Sequence, residues 1–109
     1  MTLASNALAL GFQGLLATSG EPLVLAGVGA GAREGVGVTG VIDRQPDPKR
    51  YPRELNFDPH RGSVIEIAAT FTPAPKVGEL FTDESGTKHR IQMVRIVEGS
   101  HHRCFCVAP

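Results

Sequence analysis

The chain has 109 residues, enough for a single domain, 1–109, with a core of modest size. Its eleven basic and eleven acidic side chains cancel, so no overall charge attracts nucleic acid or an anionic membrane, and no apolar run is long enough to span a bilayer. Thirteen glycines and eight prolines favour turns and strands over long helices, and the N-terminus lacks the basic start of a signal peptide, so we expect a cytoplasmic protein.

The N-terminal segment is expected to form one short helix over residues 2–17. Its apolar positions follow the spacing i, i+4, i+7 and i+8, which puts one stripe on a helix face. That stripe consists of Leu8, Phe12, Leu15 and Leu16. The polar and glycine residues 18–20 are expected to end the helix.

Two strands are predicted next, over Glu21–Gly27 and Val36–Arg44. Pro22 near the start of the first indicates either an edge position or the beginning of a strand. The glycine-rich segment between them superficially looks like a phosphate-binding loop, but that chemistry requires a helix to follow. A strand pattern follows at Val36, so the segment is interpreted as a hairpin connection.

Residues 45–62 form the long loop of the prediction and carry four prolines among basic side chains. Loops of this length are either functional or disordered, and two interpretations stay open: a flexible solvated loop, or an arm that faces a partner or DNA. The alternation of Tyr51, Leu55 and Phe57 is compatible with an extended arm that docks. The candidate partner- or channel-facing residues are Arg44, Lys49, Arg50, Tyr51, Arg53 and Arg61.

The second half of the chain predicts four more strands. The clearest, Ser63–Thr72, alternates between apolar and polar residues and stops at a pair of prolines. Three further runs follow, at Glu79–Thr82, Lys88–Glu98 and up to Val107, and form a meander in which each strand pairs with the one before it. The predicted fold is mainly β, a small barrel or sandwich of about six strands.

The predicted strand at 88–98 alternates imperfectly. Ile91 and Met93 are expected on one face and Val94 and Ile96 on the other. A β-bulge, or burial of both faces, would explain such a pattern.

The last strand carries the sharpest candidate for metal binding. His102, Cys104 and Cys106 project from one face. Structural zinc sites, however, typically use cysteines separated by about two to four residues, together with a second ligand pair from elsewhere. Small buried cysteines of a strand are the favoured interpretation. No nucleophile motif is present, so we expect no enzymatic activity. The spacing of the cysteines leads us to expect no metal, and we expect no cofactor.

The order of elements resembles a known family. Gly-Val-Ile-Asp at 40–43 precedes the long loop, Pro-x-x-Gly-x-x-Phe occupies 75–81, and Asp-x-x-Gly-x-x-His-Arg-Ile occupies 83–91. With the short N-terminal helix, this pattern resembles the small head–tail joining proteins of tailed bacteriophages. Within them it is most similar to the stopper and tail-attachment group, which includes the lambda tail-attachment proteins.

The resemblance implies a structural virion protein without enzymatic activity. Such proteins are monomers in solution and assemble as a ring at the neck, where their partners are copies of themselves, the portal-side adaptor and tail proteins. A sequence-independent contact with packaged DNA would also be expected, and no membrane contact. The location implied is the virion, and the host cytoplasm during assembly. The alternatives are a tail terminator or completion protein, or a small β-barrel module that binds nucleic acid or metal.

Overall fold

A computed structural model describes residues 3–29, 31–49, 57–97 and 100–109. These residues form one helix followed by six strands, which confirms the mainly β prediction. The elements are α1 (Leu3–Ser19), β1 (Glu21–Ala26), β2 (Val36–Asp43), β3 (Gly62–Ala68), β4 (Leu80–Thr82), β5 (Lys88–Val97) and β6 (His101–Val107).

The strands close into an antiparallel barrel in the order β1-β2-β3-β6-β5-β4. The meander pairing predicted for the last three strands is confirmed, and β4 pairs back with β1 to close the barrel. The architecture is therefore a barrel rather than a sandwich. β1 is not an edge strand, because β2 pairs with one of its sides and β4 with the other. Pro22 lies at its start, before the residues that pair with β4.

The core lies inside the barrel and consists of alternate residues of the strands. Its members are Leu23, Leu25, Ile65, Ile67, Phe81, Ile91, Cys104 and Cys106. Each fully buried aliphatic or aromatic side chain contributes about 1.5–3 kcal/mol through the surface it removes from water. The alternation recognised in the sequence of β3 is what places its two isoleucines inward.

β3 is shorter than predicted. It ends at Ala68, whereas the prediction extended it to Thr72. The chain turns immediately after the strand because the Phe71 N–H donates to the Ala68 carbonyl at 3.1 Å. Phe71 still packs against the barrel core, so the apolar periodicity reflects burial beyond the point where strand pairing ends.

The irregular alternation of β5 comes from a β-bulge. The register shifts between Ile91 and Met93, which face Cys106 and Phe105 of β6 respectively. The prediction that Ile91 and Met93 share a face is wrong, because the extra residue reverses the side on which later side chains project. Ile91 and Val94 face the core, and Met93 faces outward.

A second apolar cluster lies on the outside of the barrel and involves the predicted loop. Phe57 is only 2% exposed and packs with Val64 and Phe105, and Met93 borders them. A Cβ on Gly62 would lie 2.6 Å from the Phe57 ring, so this close packing requires glycine there. The end of the 45–62 segment thus packs on the barrel, and Gly62 belongs to β3. Tyr51 and Leu55 lie outside the described residues.

The helix packs on the barrel through an aromatic contact. Phe12 is buried and its ring stacks on His101 at a centroid distance of 4.5 Å. At the C-terminal end, the Gly20 N–H donates to the Leu16 carbonyl at 2.9 Å. In the part of the chain that the structure describes, no helix is long and apolar enough to cross a bilayer.

Candidate functional site

One end of the barrel carries a network of polar side chains, and we call it the loop end. Because the strands are antiparallel, β1, β3 and β5 begin there, and β2, β4 and β6 finish there. A cleft of about 310 Å³ opens at this end. Arg44, just before the long predicted loop, and Arg61, near the end of that loop, both line the cleft. The structure therefore brings together two of the residues that the sequence singled out.

Asp83 is the centre of the loop end, and its side chain is only 1% exposed. Its Oδ1 accepts hydrogen bonds from the Ser85 and Thr87 backbone N–H groups, each at 3.0 Å, and from the Ser85 hydroxyl at 2.6 Å. Gly86 has a φ of 86°, a conformation that glycine adopts without strain. The β4–β5 turn is therefore wrapped around one carboxylate.

The other oxygen of Asp83 contacts a side chain of β5 and the residue that follows β2. Its Oδ2 lies 3.0 Å from Nε2 of His89 and 3.3 Å from Nη2 of Arg44. The hydrogen bond with His89, followed by those from Ser85, holds the pKa of Asp83 well below its usual range. A carboxylate with this many donors is stable as an anion even when little exposed.

Arg44 links β2 to the start of the barrel. Its guanidinium forms a bidentate pair with Glu21, with Nη1–Oε2 and Nη2–Oε1 distances of 2.8 and 2.9 Å. This pair lowers the pKa of Glu21 and raises that of Arg44. The charge of Arg44 is thus matched by Glu21 and Asp83. These contacts connect the residue that follows β2 to the start of β1 and to the β4–β5 turn.

The remaining nitrogen of His89 reaches Ser63 of β3. Nδ1 lies 2.9 Å from the Ser63 hydroxyl, so each ring nitrogen has a partner. Serine hydrolases use a similar order of contacts, but there Nε2 faces the serine and Nδ1 the aspartate. Here the ring is reversed and Ser63 is buried within a strand. The arrangement instead links β3 and β5 through their side chains and stabilises this end of the barrel.

The other loop candidates are more exposed. Arg61 is 87% exposed and lies 3.9 Å from Asp58. Lys49 is exposed too, and its backbone N–H donates to the Asp47 carboxylate at 2.9 Å. Both side chains can present positive charge to a partner. Arg50, Tyr51 and Arg53 lie outside the described residues.

His102, Cys104 and Cys106 of β6 are buried, and the two cysteines belong to the barrel core. Burial raises the pKa of Cys104 to about 12 and also raises that of Cys106, which disfavours the thiolates that bind metals. Burial lowers the pKa of His102. Among the described residues, no group of three or more His, Cys, Asp or Glu side chains could hold a metal ion.

Sequence reasoning missed the chemical centre of the loop end. Asp83 and His89 belong to the sequence pattern at 83–91 but were not assigned a functional role, and Glu21 and Ser63 were not singled out. The Asp-x-x-Gly spacing of a turn, followed by a histidine at the start of a strand, was the available signal. Neither protein-family models nor curated protein sequences gave a match to the chain.

Proposed function

We propose that this protein is a structural virion component that joins the head and tail of a tailed bacteriophage, assembling as a ring at the neck as a stopper or tail-attachment protein. The observation that supports the proposal is the placement of the long basic segment. Arg44, just before this segment, and Arg61, near its end, lie at one end of a closed barrel and line one cleft. The order of sequence motifs supports the same assignment.

A connector of this kind needs a rigid body and a segment that can engage neighbours. The barrel supplies the rigid body, because closure pairs its strands and the Asp83 network ties the β4–β5 turn to β5 and to the residue that follows β2. The 45–62 segment is the proposed engaging element. Its prolines reduce the entropy lost when it orders against a neighbouring subunit.

Contact with DNA in the channel would involve phosphates and would be independent of sequence. Arg61 and Lys88 line the cleft and are exposed, so they are the side chains that we expect to face a phosphate. Arg44 is less suited to that role because Glu21 and Asp83 already match its charge. We therefore expect Arg44 to stabilise the loop end, and Arg61 and Lys88 to contact the phosphate.

The proposal is tested by deleting the gene in the phage-producing host that carries it. We expect DNA-filled heads and separate tails by electron microscopy, and recovery of infectious particles when the purified protein is added to the lysate. Lysates with normal joined particles would refute the proposal. Heads joined to tails of abnormal length would instead identify a tail terminator.

A matched pair of variants tests the role of the loop end in joining. Arg61→Glu reverses an exposed charge in the cleft and is expected to reduce recovery of infectious particles. Glu84→Arg reverses an exposed charge in the β4–β5 turn, outside the cleft lining, and is the control. Equal activity of both variants would exclude the cleft from the joining function.

A further inference from the structure

The barrel closes along only part of β5. β4 pairs with Lys88–Arg90 of this strand, and backbone bonds from Gly78 and to Glu79 extend the contact to Ile91. Beyond the bulge, the residues from Met93 to Val97 pair with β6 on one side. No strand among the described residues pairs with their other side, so the upper half of β5 has an open edge.

Backbone alternation determines which groups this edge presents. The Val97 carbonyl accepts a hydrogen bond from the Ser100 N–H at 3.0 Å, so Val97 is turned toward β6. Successive residues of a strand alternate in the direction of their N–H and C=O groups. Val94 and Ile96 therefore direct their donors and acceptors toward the open edge, which can bond an added strand.

The side chains beside this edge indicate which residues an added strand would carry. On the inner face, Ile96 is 70% exposed and stands next to partly buried Val94. On the outer face, exposed Arg95 lies opposite Arg103, and like charges in such a pair are unfavourable. The Arg103 guanidinium bonds Glu66 at 3.2 Å, whereas no acidic side chain of the described residues forms an ion pair with Arg95.

We propose that the open edge of β5 binds an extended segment of a partner protein as an added β-strand. The segment would carry an acidic residue opposite Arg95, flanked by apolar residues that cover Val94 and Ile96. Backbone hydrogen bonds would supply affinity and the alternating side chains specificity. This inference rests on the proposed connector function, and the partner would be a neighbouring neck or tail protein.

The test uses the full chain, labelled with ¹⁵N, and two synthetic peptides. One reads Ser-Thr-Val-Glu-Val-Thr-Ser, and its matched control has lysine in place of glutamate. We expect the acidic peptide to bind at least about fivefold more tightly, since it replaces a like-charge contact by an attraction. Chemical-shift changes should centre on residues 93–97, and exchange of the Val94 and Ile96 amide protons should slow.

The variant Arg95→Glu is expected to reverse the preference between the two peptides, and because Arg95 is exposed its replacement should leave the fold intact. Equal binding of both peptides would mean that Arg95 only protects the edge against aggregation, and would overturn the inference. Shift changes elsewhere would overturn it too. A dimer with protected residues 93–97 would identify a second copy of this chain as the occupant.

The inference and the proposed function fail in different ways. If the peptides do not bind at millimolar concentration but the protein restores joined particles, only the strand-addition site is wrong. If the acidic peptide binds selectively but the protein has no effect on joining, the site stands and the connector function is wrong. If both are right, Arg95→Glu should also reduce joining.

Discussion

Replacement of Asp83 by asparagine is the most direct test of the network that holds the loop end together. The substitution keeps the size of the side chain and removes its charge. The amide oxygen can still accept from the Ser85 and Thr87 N–H groups, but the amide nitrogen then faces Arg44 and His89. Two charge-assisted contacts of a side chain that is almost fully buried are lost.

The expected cost follows from these contacts. A hydrogen bond to a charged group contributes about 1.5–3 kcal/mol, and an exposed ion pair contributes less. Arg44 is half-exposed and keeps Glu21, so most of the loss comes from His89. We expect Asp83→Asn to lower the free energy of unfolding by about 2–3 kcal/mol. For a chain of this length that corresponds to a fall in Tm of about 10 °C.

Urea denaturation at several pH values provides the assay, with Asp47→Asn as the control. Asp47 accepts one exposed backbone bond, and its replacement should cost less than about 0.5 kcal/mol. Because the pKa of Asp83 is lowered in the folded state, its contribution is present above the ordinary value of 3.8 and is lost as pH falls below it. The difference between wild type and Asp83→Asn should therefore shrink below about pH 4. A constant difference, or equal effects of both variants, would refute the reasoning.

Four further predictions concern the helix and the barrel. Phe12→Ala should lower stability by about 2–4 kcal/mol and reduce the helical circular dichroism signal, since it removes the stack on His101, and an unchanged spectrum would contradict this. Burial lowers the pKa of His102, so the unfolded state binds a proton there more readily than the folded state, and stability should fall as pH drops below about 6.5. In His102→Leu this pH dependence of stability should be weaker, and an unchanged pH dependence would mean that other groups cause it. Cys104 should react with a thiol reagent only after unfolding, and chelators should leave Tm unchanged, whereas a fall in Tm would indicate a metal site. Gly62→Ala should destabilise the protein by about 1–3 kcal/mol because a Cβ would meet Phe57, which calorimetry can measure.

Local pattern was sufficient for most of the fold. The apolar alternation of β3 and the spacing around Phe12 identified a strand and a helix, because each depends on a periodicity that neighbouring residues carry themselves. Strand ends were less accurate: the prediction ran β3 on to Thr72, since burial of Phe71 continues the same pattern after pairing stops. A β-bulge was one of two explanations for the irregular pattern of β5, and the predicted faces of its side chains were wrong because the bulge changes them.

The tertiary structure alone decided the composition of the loop end. Glu21, Arg44, Ser63 and Asp83 are far apart in the chain, and an antiparallel barrel places the ends of their strands together. The apolar periodicity of the sequence does not predict these contacts, because they depend on the order and register of the strands. The same holds for the open edge of β5, which exists because β4 is too short to cover it. The sequence by itself determined a small β domain with a basic loop, and closure of the barrel decided which side chains meet.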